Sequence, residues 1–267
     1  MMIVLIKGAG DIASGIAAKL WRSGIDVVMT DLTNPTSIRR TVCFSEAIRN
    51  GVTTVEDIEA EKAENIEDIE RILKEKRIPV FADPGCTIAG KVAFDAVIDA
   101  ILAKKNLGTS ITDAPCVIAV GPGFTAGVDC HACVETKRGH FLGKVIYRGS
   151  CIPNTGIPGN IGGYTEERVL RSPADGVIST VKDIGDHVKE GEAVAFANEQ
   201  PVVCKISGVL RGLLPDGTPV FKGMKSGDVD PRDDSSYCCT ISDKASAVAG
   251  GVLEALLNLT GVIEHGK

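Results

Sequence analysis

The stretch Ile3-Val-Leu-Ile-Lys-Gly-Ala-Gly-Asp-Ile-Ala13 decides the fold. It begins with a compact apolar run that ends at Gly8, as a short buried strand does. The apolar spacing then changes, because Ile12, Ile16 and Leu20 share one face of a helix. The sequence therefore opens with a strand, a glycine turn and a helix.

This glycine turn has the spacing of a nucleotide-binding loop, which is most specific between a strand and a helix. Gly8 would form the tight turn, Gly10 would let a pyrophosphate approach the backbone, and Ala13 would let helix and strand pack closely. Amide groups at the start of the helix would hold the phosphate. Asp31 lies 23 residues after Gly8, near the position expected of a ribose-binding acid. Asp11 adds a negative charge at this site, so it either caps the helix or holds Mg²⁺.

A nucleotide or dinucleotide is the ligand that this turn favours. The alternative is a glycine turn without any ligand. NAD(P) bound for hydride transfer is less favoured, because nothing later in the sequence supplies an evident partner for that reaction.

Strand and helix patterns alternate through the first part of the chain. Strands are predicted over 26–30, 78–82 and 116–120, and helices over 39–50, 56–76 and 92–105. This alternation predicts a Rossmann-like α/β domain over residues 1–130, with a parallel, doubly wound sheet.

From residue 131 the patterns become those of short β-strands. Residues 131–170 are predicted as a β-rich connecting segment with a Pro/Gly loop, which at this length is more often functional than idle. Residues 171–232 resemble the biotinyl/lipoyl-carrier β-barrel but lack the carrier Lys, so a swinging arm is excluded and we expect a scaffold or docking surface. Residues 233–267 are predicted as a strand and a helix that pack back on the core.

A second glycine turn follows the apolar run that ends at Val120. Pro122-Gly123 suits a type II turn, yet ligands of open α/β sheets bind where such turns follow buried strands. A dense set of polar and titratable side chains comes directly after this turn. The candidate binding residues here are Gly121, Gly123, Phe124, Thr125, Asp129, His131, Arg138 and His140, and the candidate catalytic residues are Cys130, His131 and Glu135.

The cysteines do not match a metal site. Cys130 and Cys133 form one Cys-x-x-Cys pair, whereas zinc needs about four ligands. A thioredoxin-type redox pair opens a helix, and this pair enters a predicted strand. We therefore expect inert thiols and no metal. The nine cysteines, odd in number and scattered, fit reduced thiols in the cytoplasm.

A third motif, over residues 227–234, resembles a calcium loop only briefly, because it lacks the required Gly and Glu. It is predicted as a turn, or as a contact to Mg²⁺ or a phosphate ester through Asp228 or Arg232. His187 and His265 are predicted at the surface.

The charge balance is acidic. The 267 residues include 29 Lys and Arg against 35 Asp and Glu, which excludes bulk binding of nucleic acid or anionic membranes. No apolar run approaches the roughly 18 residues of a membrane span. The first apolar run has no basic region before it, so it predicts a strand rather than a signal peptide, and we expect a cytoplasmic protein.

Eight segments, taken in order, carry a resemblance to a known family. They are Gly-Ala-Gly-Asp-Ile-Ala-Ser (8–14), Ile-Ala-Val-Gly-Pro-Gly-Phe-Thr-Ala-Gly-Val-Asp (118–129), Glu-Thr-Lys-Arg-Gly-His (135–140), Pro-Asn-Thr-Gly-Ile-Pro-Gly (153–159), and residues 168–170, 206–214, 227–232 and 240–245. In this order they resemble the YqeB-like accessory proteins of selenium-dependent molybdenum hydroxylases. The resemblance spans essentially the whole chain.

The resemblance implies a cytoplasmic maturation factor whose partner is a molybdenum hydroxylase and whose ligand is a molybdopterin dinucleotide. In one hypothesis the first glycine loop holds the dinucleotide phosphates, while the second glycine loop with His131, Glu135 and His140 lines the pterin or metal end. In the other, the chain is a nucleotide-dependent enzyme that modifies the cofactor or delivers selenium or sulfur to it, with His131, Glu135 or Cys130 as acid–base group or nucleophile. Whether the chain is an enzyme, and whether it forms a homodimer, stays open.

Overall fold

A computed structural model describes residues 2–262, which form two compact units. Unit 1 contains the chain up to Pro35, Cys43–Thr155 and the chain from Ile241 onward. Unit 2 contains Thr36–Val42 and Gly156–Thr240. The division differs from the predicted series 1–130, 131–170, 171–232 and 233–267, because most of the expected connecting segment and the last helix pack within unit 1.

Among the described residues, unit 1 has four α-helices and eleven strands. The helices are α1 (Asp11–Arg22), α2 (Glu46–Asn50), α3 (Glu67–Lys74) and α4 (Asp243–Leu259). The strands are β1 (Ile3–Lys7), β2 (Asp26–Asp31), β3 (Val52–Val55), β4 (Ile58–Ala63), β5 (Ile78–Ala82), β6 (Ala96–Asp99), β7 (Cys116–Val120), β8 (Thr125–Ala126), β9 (Ala132–Val134), β10 (Val145–Ile146) and β11 (Gly149–Ser150).

The main sheet of unit 1 has nine strands in the order β10-β9-β7-β6-β1-β2-β5-β4-β3. Neighbours from β9 to β4 run parallel, whereas β10 and β3 pair antiparallel at the two edges. The chain moves outward from β1 to β2 on one side and later returns to β6 on the other. The strand order therefore reverses between β1 and β6, which is the place where open α/β sheets bind ligands.

Both faces of this sheet are covered by apolar side chains. On one face, Leu5, Val28 and Val97 share a buried cluster with Ile69 and Ile72 of α3. Helices α1 and α4 pack against each other, and a Cβ added at Gly15 would lie 2.7 Å from the Cβ of Ala245. Small residues at this crossing let the two backbones approach closely.

Unit 2 contains eight strands in two antiparallel four-stranded sheets. One sheet has the order β12-β19-β17-β14 and the other the order β16-β15-β13-β18. The strands are β12 (Val169–Arg171), β13 (Gly176–Thr180), β14 (His187–Val188), β15 (Ala193–Ala197), β16 (Gln200–Val203), β17 (Gly208–Leu213), β18 (Pro219–Val220) and β19 (Lys225–Asp230).

The predicted fold class is wrong. The large sheet is mixed rather than parallel, and the described residues contain no biotinyl/lipoyl-like barrel. Each sheet of unit 2 is open and ends in two edge strands, whereas a barrel requires one sheet to close on itself. Gly185 and Gly191 form turns in this region, with φ of +105° and +83°. Such turns set local hairpins and do not specify closure.

Three predicted helices also differ from the structure. Residues 39–50 form a single 3₁₀ turn, Arg40–Val42, followed by the short helix α2. Residues 56–76 contain strand β4 before helix α3. Residues 92–105 contain strand β6 and a loop, in which Leu102 and Lys104 have φ of +60° and +63° and so cannot continue a helix.

No helix among residues 2–262 is both long enough and apolar enough to cross a membrane.

Candidate functional site

The first glycine turn lies at the carboxyl end of β1. Gly8 has φ of +99°, and its N–H donates to the carbonyl of Thr30 at 2.8 Å. A Cβ at this position would lie 3.0 Å from the carbonyl oxygen of Ala100. The turn therefore requires glycine both for its backbone conformation and for the close approach of the chain that follows β6.

Helix α1 begins directly after this turn, with Gly10 rather than Asp11 as its N-cap. Gly10 has an extended backbone (φ −72°), and no side chain caps the helix. Asp11 lies in the first helical turn, and Ala13 is buried against the sheet. The start of the helix thus offers backbone N–H groups and the positive end of the helix dipole to an anion.

Asp31 ends strand β2 beside this turn. Its Oδ2 accepts the N–H of Ala9 at 2.8 Å, and its Oδ1 accepts the N–H of Leu32 at 2.7 Å. Burial raises the pKa of Asp31, and these two hydrogen bonds oppose that shift. The carboxylate therefore fixes the glycine turn, and a ribose would share the lone pairs that remain.

The second glycine turn follows β7 at the same edge of the sheet. Gly121 has φ of +85°, and a Cβ there would lie 2.9 Å from Thr136 Oγ1. Gly123 has φ of +113°, and a Cβ there would lie 2.6 Å from the Cα of Lys105. Phe124 is buried directly after it. Both glycine turns therefore contact the segment that follows β6, residues 100–105.

A network of side chains that the sequence analysis missed joins these elements. Lys7, the last residue of β1, donates from Nζ to Thr109 Oγ1 at 2.7 Å. The hydroxyl of Thr109 donates to Asp99 Oδ2 at 2.6 Å, and Asp113 Oδ2 lies 3.6 Å from Lys7 Nζ. Asp99 and Thr109 are buried, and the Lys7 side chain is 13% exposed. The residue directly before the Gly8 turn therefore carries a nearly buried ammonium group that is held by Thr109 and Asp113.

Asp129 and Thr125 connect to this network through Asn106. Asp129 Oδ2 accepts the N–H of Thr125 at 2.7 Å, and Asn106 Nδ2 lies 3.5 Å from Asp129 Oδ1. Asn106 Oδ1 accepts the N–H groups of Gly108 and Thr109, both at 2.8 Å. The structure thus brings two of the predicted binding residues to the Lys7 network.

His131 lies at the opposite edge of the sheet. Its Nδ1 accepts the N–H of Val117, near the start of β7, at 2.9 Å, and its own N–H donates to the Val117 carbonyl at 2.8 Å. Because Nδ1 accepts, the ring proton is assigned to Nε2. His131 therefore pairs with the amino-terminal end of the inner strand β7 and does not reach the glycine turns at the carboxyl ends.

Three other predicted residues have structural partners. Glu135 is buried and accepts three backbone N–H groups, from Thr136, Lys137 and Ile152. Arg138 forms a two-pronged ion pair with Asp243 at the start of α4, at 2.7 and 3.0 Å.

His140 is exposed, and its ring meets that of Phe141 edge to face at 5.0 Å. None of these three side chains belongs to the Lys7 network.

The thiols of Cys130 and Cys133 lie 3.4 Å apart and are fully buried. The hydrogen bond with Cys130 is the main cause that raises the pKa of Cys133 to about 12. The pKa of Cys151 is also raised, chiefly by its hydrogen bond with Cys133 and then by burial. Within residues 2–262, no group of three or more His, Cys, Asp or Glu side chains could hold a metal ion. The raised pKa values keep Cys133 and Cys151 protonated at neutral pH, and protonated thiols are poor nucleophiles.

Only the second half of the third motif contains the predicted turn, at Pro231 and Arg232, because Asp228 and Asp230 belong to strand β19. His187 is exposed and lies 2.9 Å from Asp233, which confirms its predicted surface position. His265 lies outside the described residues.

No family model matches this chain. The chain is 48% identical to the uncharacterized protein YqeB of Escherichia coli strain K12 over 257 residues, which is 96% of the chain. This chain resembles the matched part of YqeB. It spans about half the length of the curated relative it matches, since the match covers 48% of YqeB. The YqeB-like part of the predicted resemblance is confirmed, and the link to molybdenum hydroxylases stays a prediction.

Among solved structures, the chain is similar to a succinylglutamate desuccinylase/aspartoacylase from Rhodobacter sphaeroides (12% identity, TM-score 0.27) and to the ectoine utilization protein EutE (DoeB) from Ruegeria pomeroyi (11% identity, TM-score 0.26). Each match covers 85% of this chain and 84% of the other chain. TM-scores this low do not establish a shared fold.

Proposed function

We propose that this YqeB-like chain is an accessory factor for the maturation of selenium-dependent molybdenum hydroxylases, and that it binds and hands over a molybdopterin dinucleotide or a related nucleotide cofactor. The observation that carries this proposal is that two glycine turns contact the same segment, residues 100–105, with Lys7 directly before the first turn. The eight ordered segments that resemble the YqeB-like family support the choice of cofactor and partner.

The first turn supplies the groups that a pyrophosphate needs. Helix α1 points its N-terminus at this edge of the sheet, and Gly10 carries no side chain that would cover it. Lys7 adds a charge-assisted donor in a position that is largely shielded from water. A dinucleotide would therefore place its phosphates between the start of α1 and Lys7.

The pterin end would lie toward the second turn, next to Thr125 and Asp129. These groups offer hydroxyl, carboxylate and backbone partners, which suit a polar heterocycle. His131, Glu135 and His140 were expected to line this end. His131 pairs with Val117 and His140 is exposed beside Phe141. Glu135 lies next to the second turn, but its carboxylate already accepts three backbone N–H groups.

An enzyme that delivers selenium or sulfur would need a reactive thiol. Cys130 was the candidate, and it is fully buried beside Cys133. The binding and handover function therefore fits this site better than thiol chemistry does.

The test is to purify the chain from molybdenum-replete cells that express a target hydroxylase, and to identify any bound small molecule by mass spectrometry. The wild type should carry a pterin dinucleotide. Gly10→Val should lose it, since φ at Gly10 suits any residue and the added side chain would stand at the start of α1, where the phosphate is expected to approach. Lys7→Gln should lower the bound fraction about tenfold, the usual effect of removing a charged hydrogen bond.

Gly250→Val is the matched control, because Gly250 is exposed on α4 with open space around it. It should retain the ligand. Recovery of an NAD-type nucleotide, or of no ligand when the dinucleotide is abundant, would overturn the proposal.

A further inference from the structure

One of the two sheets of unit 2, with the strand order β16-β15-β13-β18, has a face that points away from the core of the unit. Along β13, Ile178 is buried in that core, whereas Val177 and Ser179 on either side of it are exposed. Along β16, Val202 is buried and Val203 is exposed. Because neighbouring residues of a strand point to opposite faces, the exposed residues lie together on the outer side of the sheet.

Strand pairing joins these outward side chains into one surface. Val177 is paired with Pro219 of β18. Ser179 is paired with Phe196 of β15, and Phe196 is paired in turn with Pro201 of β16. Side chains of paired residues lie on the same face, roughly 5 Å apart. We call this surface the outer face, and its residues are Val177, Ser179, Phe196, Pro201, Val203 and Pro219.

The outer face is apolar and uncharged. Five of its six residues are apolar, and the sixth is a serine. Val177 and Val203 are 53% and 39% exposed. Single exposed apolar side chains are ordinary, but a contiguous group of them marks an interaction surface. The cores of protein interfaces are likewise depleted of charged residues.

The edges of the same sheet are poorly suited to binding. The edge strands β16 and β18 contain Pro201 and Pro219, and a proline offers no N–H group to a neighbouring strand. Prolines on edge strands oppose pairing with a strand of another chain. A partner would therefore bind to the outer face rather than extend the sheet.

The size of YqeB bears on what covers this face. The match spans 96% of this chain but only 48% of YqeB, so slightly more than half of YqeB lies outside it. That remainder is about as long as the matched part, which is enough for at least one further domain. Domains of one chain are held at a high effective concentration, and an exposed apolar face on one of them favours their association.

We propose that the outer face of unit 2 binds a domain of the kind that makes up the remainder of YqeB, through an apolar interface. Binding would bury Val177 and Phe196 on the two central strands, and Val203 and Pro219 on the two edge strands. This proposal goes beyond the cofactor function and does not depend on it, because no residue of the outer face belongs to unit 1.

The test is a chimera in which the whole of this chain replaces the matched part of YqeB, with a protease site at each junction with the remainder. After cleavage, the two parts should elute together in size-exclusion chromatography. Val177→Lys should separate them, because binding would bury a charge that has no partner. This variant should keep the native circular dichroism spectrum, since residue 177 is exposed in the chain alone.

Val52→Lys is the matched control, because Val52 is an exposed valine on the edge strand β3 of unit 1. It adds the same charge and should leave the two parts together. Val203→Lys is a second variant of the outer face and should separate them. Gly10→Val, which tests the cofactor site, should not change the elution, so the two proposals can fail independently.

The proposal is overturned if the wild-type parts separate after cleavage, or if both variants of the outer face still elute with the remainder. It is also overturned if the chain without the remainder forms a dimer that Val177→Lys dissociates. A second copy of the chain would then cover the outer face.

Discussion

Glu135 stabilises the fold of the chain around it. Its Oε1 accepts the N–H groups of Thr136 at 2.8 Å and Lys137 at 2.7 Å, and its Oε2 accepts the N–H of Ile152 at 2.7 Å. A carboxylate can serve all three donors because it only accepts. The side chain therefore ties the end of β9 to the segment that begins the Pro/Gly loop.

Glu135→Gln should destabilise the native state. The amide offers one acceptor oxygen and one NH₂ group, so at least one buried N–H would face another donor. We expect the free energy of unfolding to fall by about 1–3 kcal/mol, the cost of a buried unsatisfied group. Urea unfolding measures this change.

Glu254→Gln is the control for this prediction, because Glu254 is an exposed acid of α4 in the same unit. Its effect should stay within about 0.5 kcal/mol. If Glu135→Gln were as stable as this control and lost the bound cofactor, Glu135 would belong to the binding site after all.

At the scale of elements, periodicity predicted the strands better than it predicted the helices. Strand β1 and helix α1 were predicted because their apolar spacing differs sharply. Residues 96–102 are ambiguous, since Ile98 and Leu102 fit a helical face as well as a buried strand. The sheet decides between them, because β6 lies between β1 and β7 and all its residues are buried.

The same ambiguity hid part of the site. Asp99 ends β6, and the prediction of a helix there gave no reason to place its carboxylate beside Thr109. The sequence feature that could have indicated this site residue is the charge of Asp99 at the end of an apolar run. Lys7 and Thr109 are 102 positions apart, so only the paired strands show that they meet. The glycine turns were found because their chemistry is local, whereas this network depends on the sheet.

Two neighbouring glycines of α4 should respond to Ala in opposite ways. Gly250 faces open space, so Gly250→Ala should stabilise the protein by roughly 0.5–1 kcal/mol through helix propensity. Gly251 packs against the carbonyl of Gly143 and against Val134, and a Cβ there would collide with that carbonyl oxygen. Gly251→Ala should therefore destabilise the protein by about 1–3 kcal/mol.

Thermal and urea unfolding of both variants measure these changes, and each variant serves as the control for the other. Equal shifts of the same sign would show that helix propensity alone determines how α4 responds to these substitutions. The close contact of Gly251 with Gly143 would then contribute nothing to stability.

At the scale of the whole molecule, the carboxyl groups favour stability at neutral pH. The pKa values of eight of them are lowered in the folded protein. Burial opposes the shift at Glu61 and Asp230, where hydrogen bonds from arginines outweigh it. The other six, Asp57, Asp68, Glu70, Glu167, Glu192 and Asp234, are lowered chiefly by hydrogen bonds to side chains or backbone. Burial raises the pKa values of Asp31 and Asp228.

These shifts predict that the urea midpoint falls as the pH drops below about 4, the ordinary range of Asp and Glu. A carboxyl group with a lowered pKa binds fewer protons when folded, so its contribution is present above the unfolded pKa and is lost as the pH falls through the folded one. Asp31 and Asp228 act in the opposite direction, because protonation relieves their burial, but they are outnumbered. Seven of the eight groups, all except Asp230, are at least partly exposed, so 0.5 M KCl should reduce the pH dependence by screening their partners. A urea midpoint that rose between pH 6 and pH 3 would mean that the two buried carboxyl groups outweigh all of the surface ones.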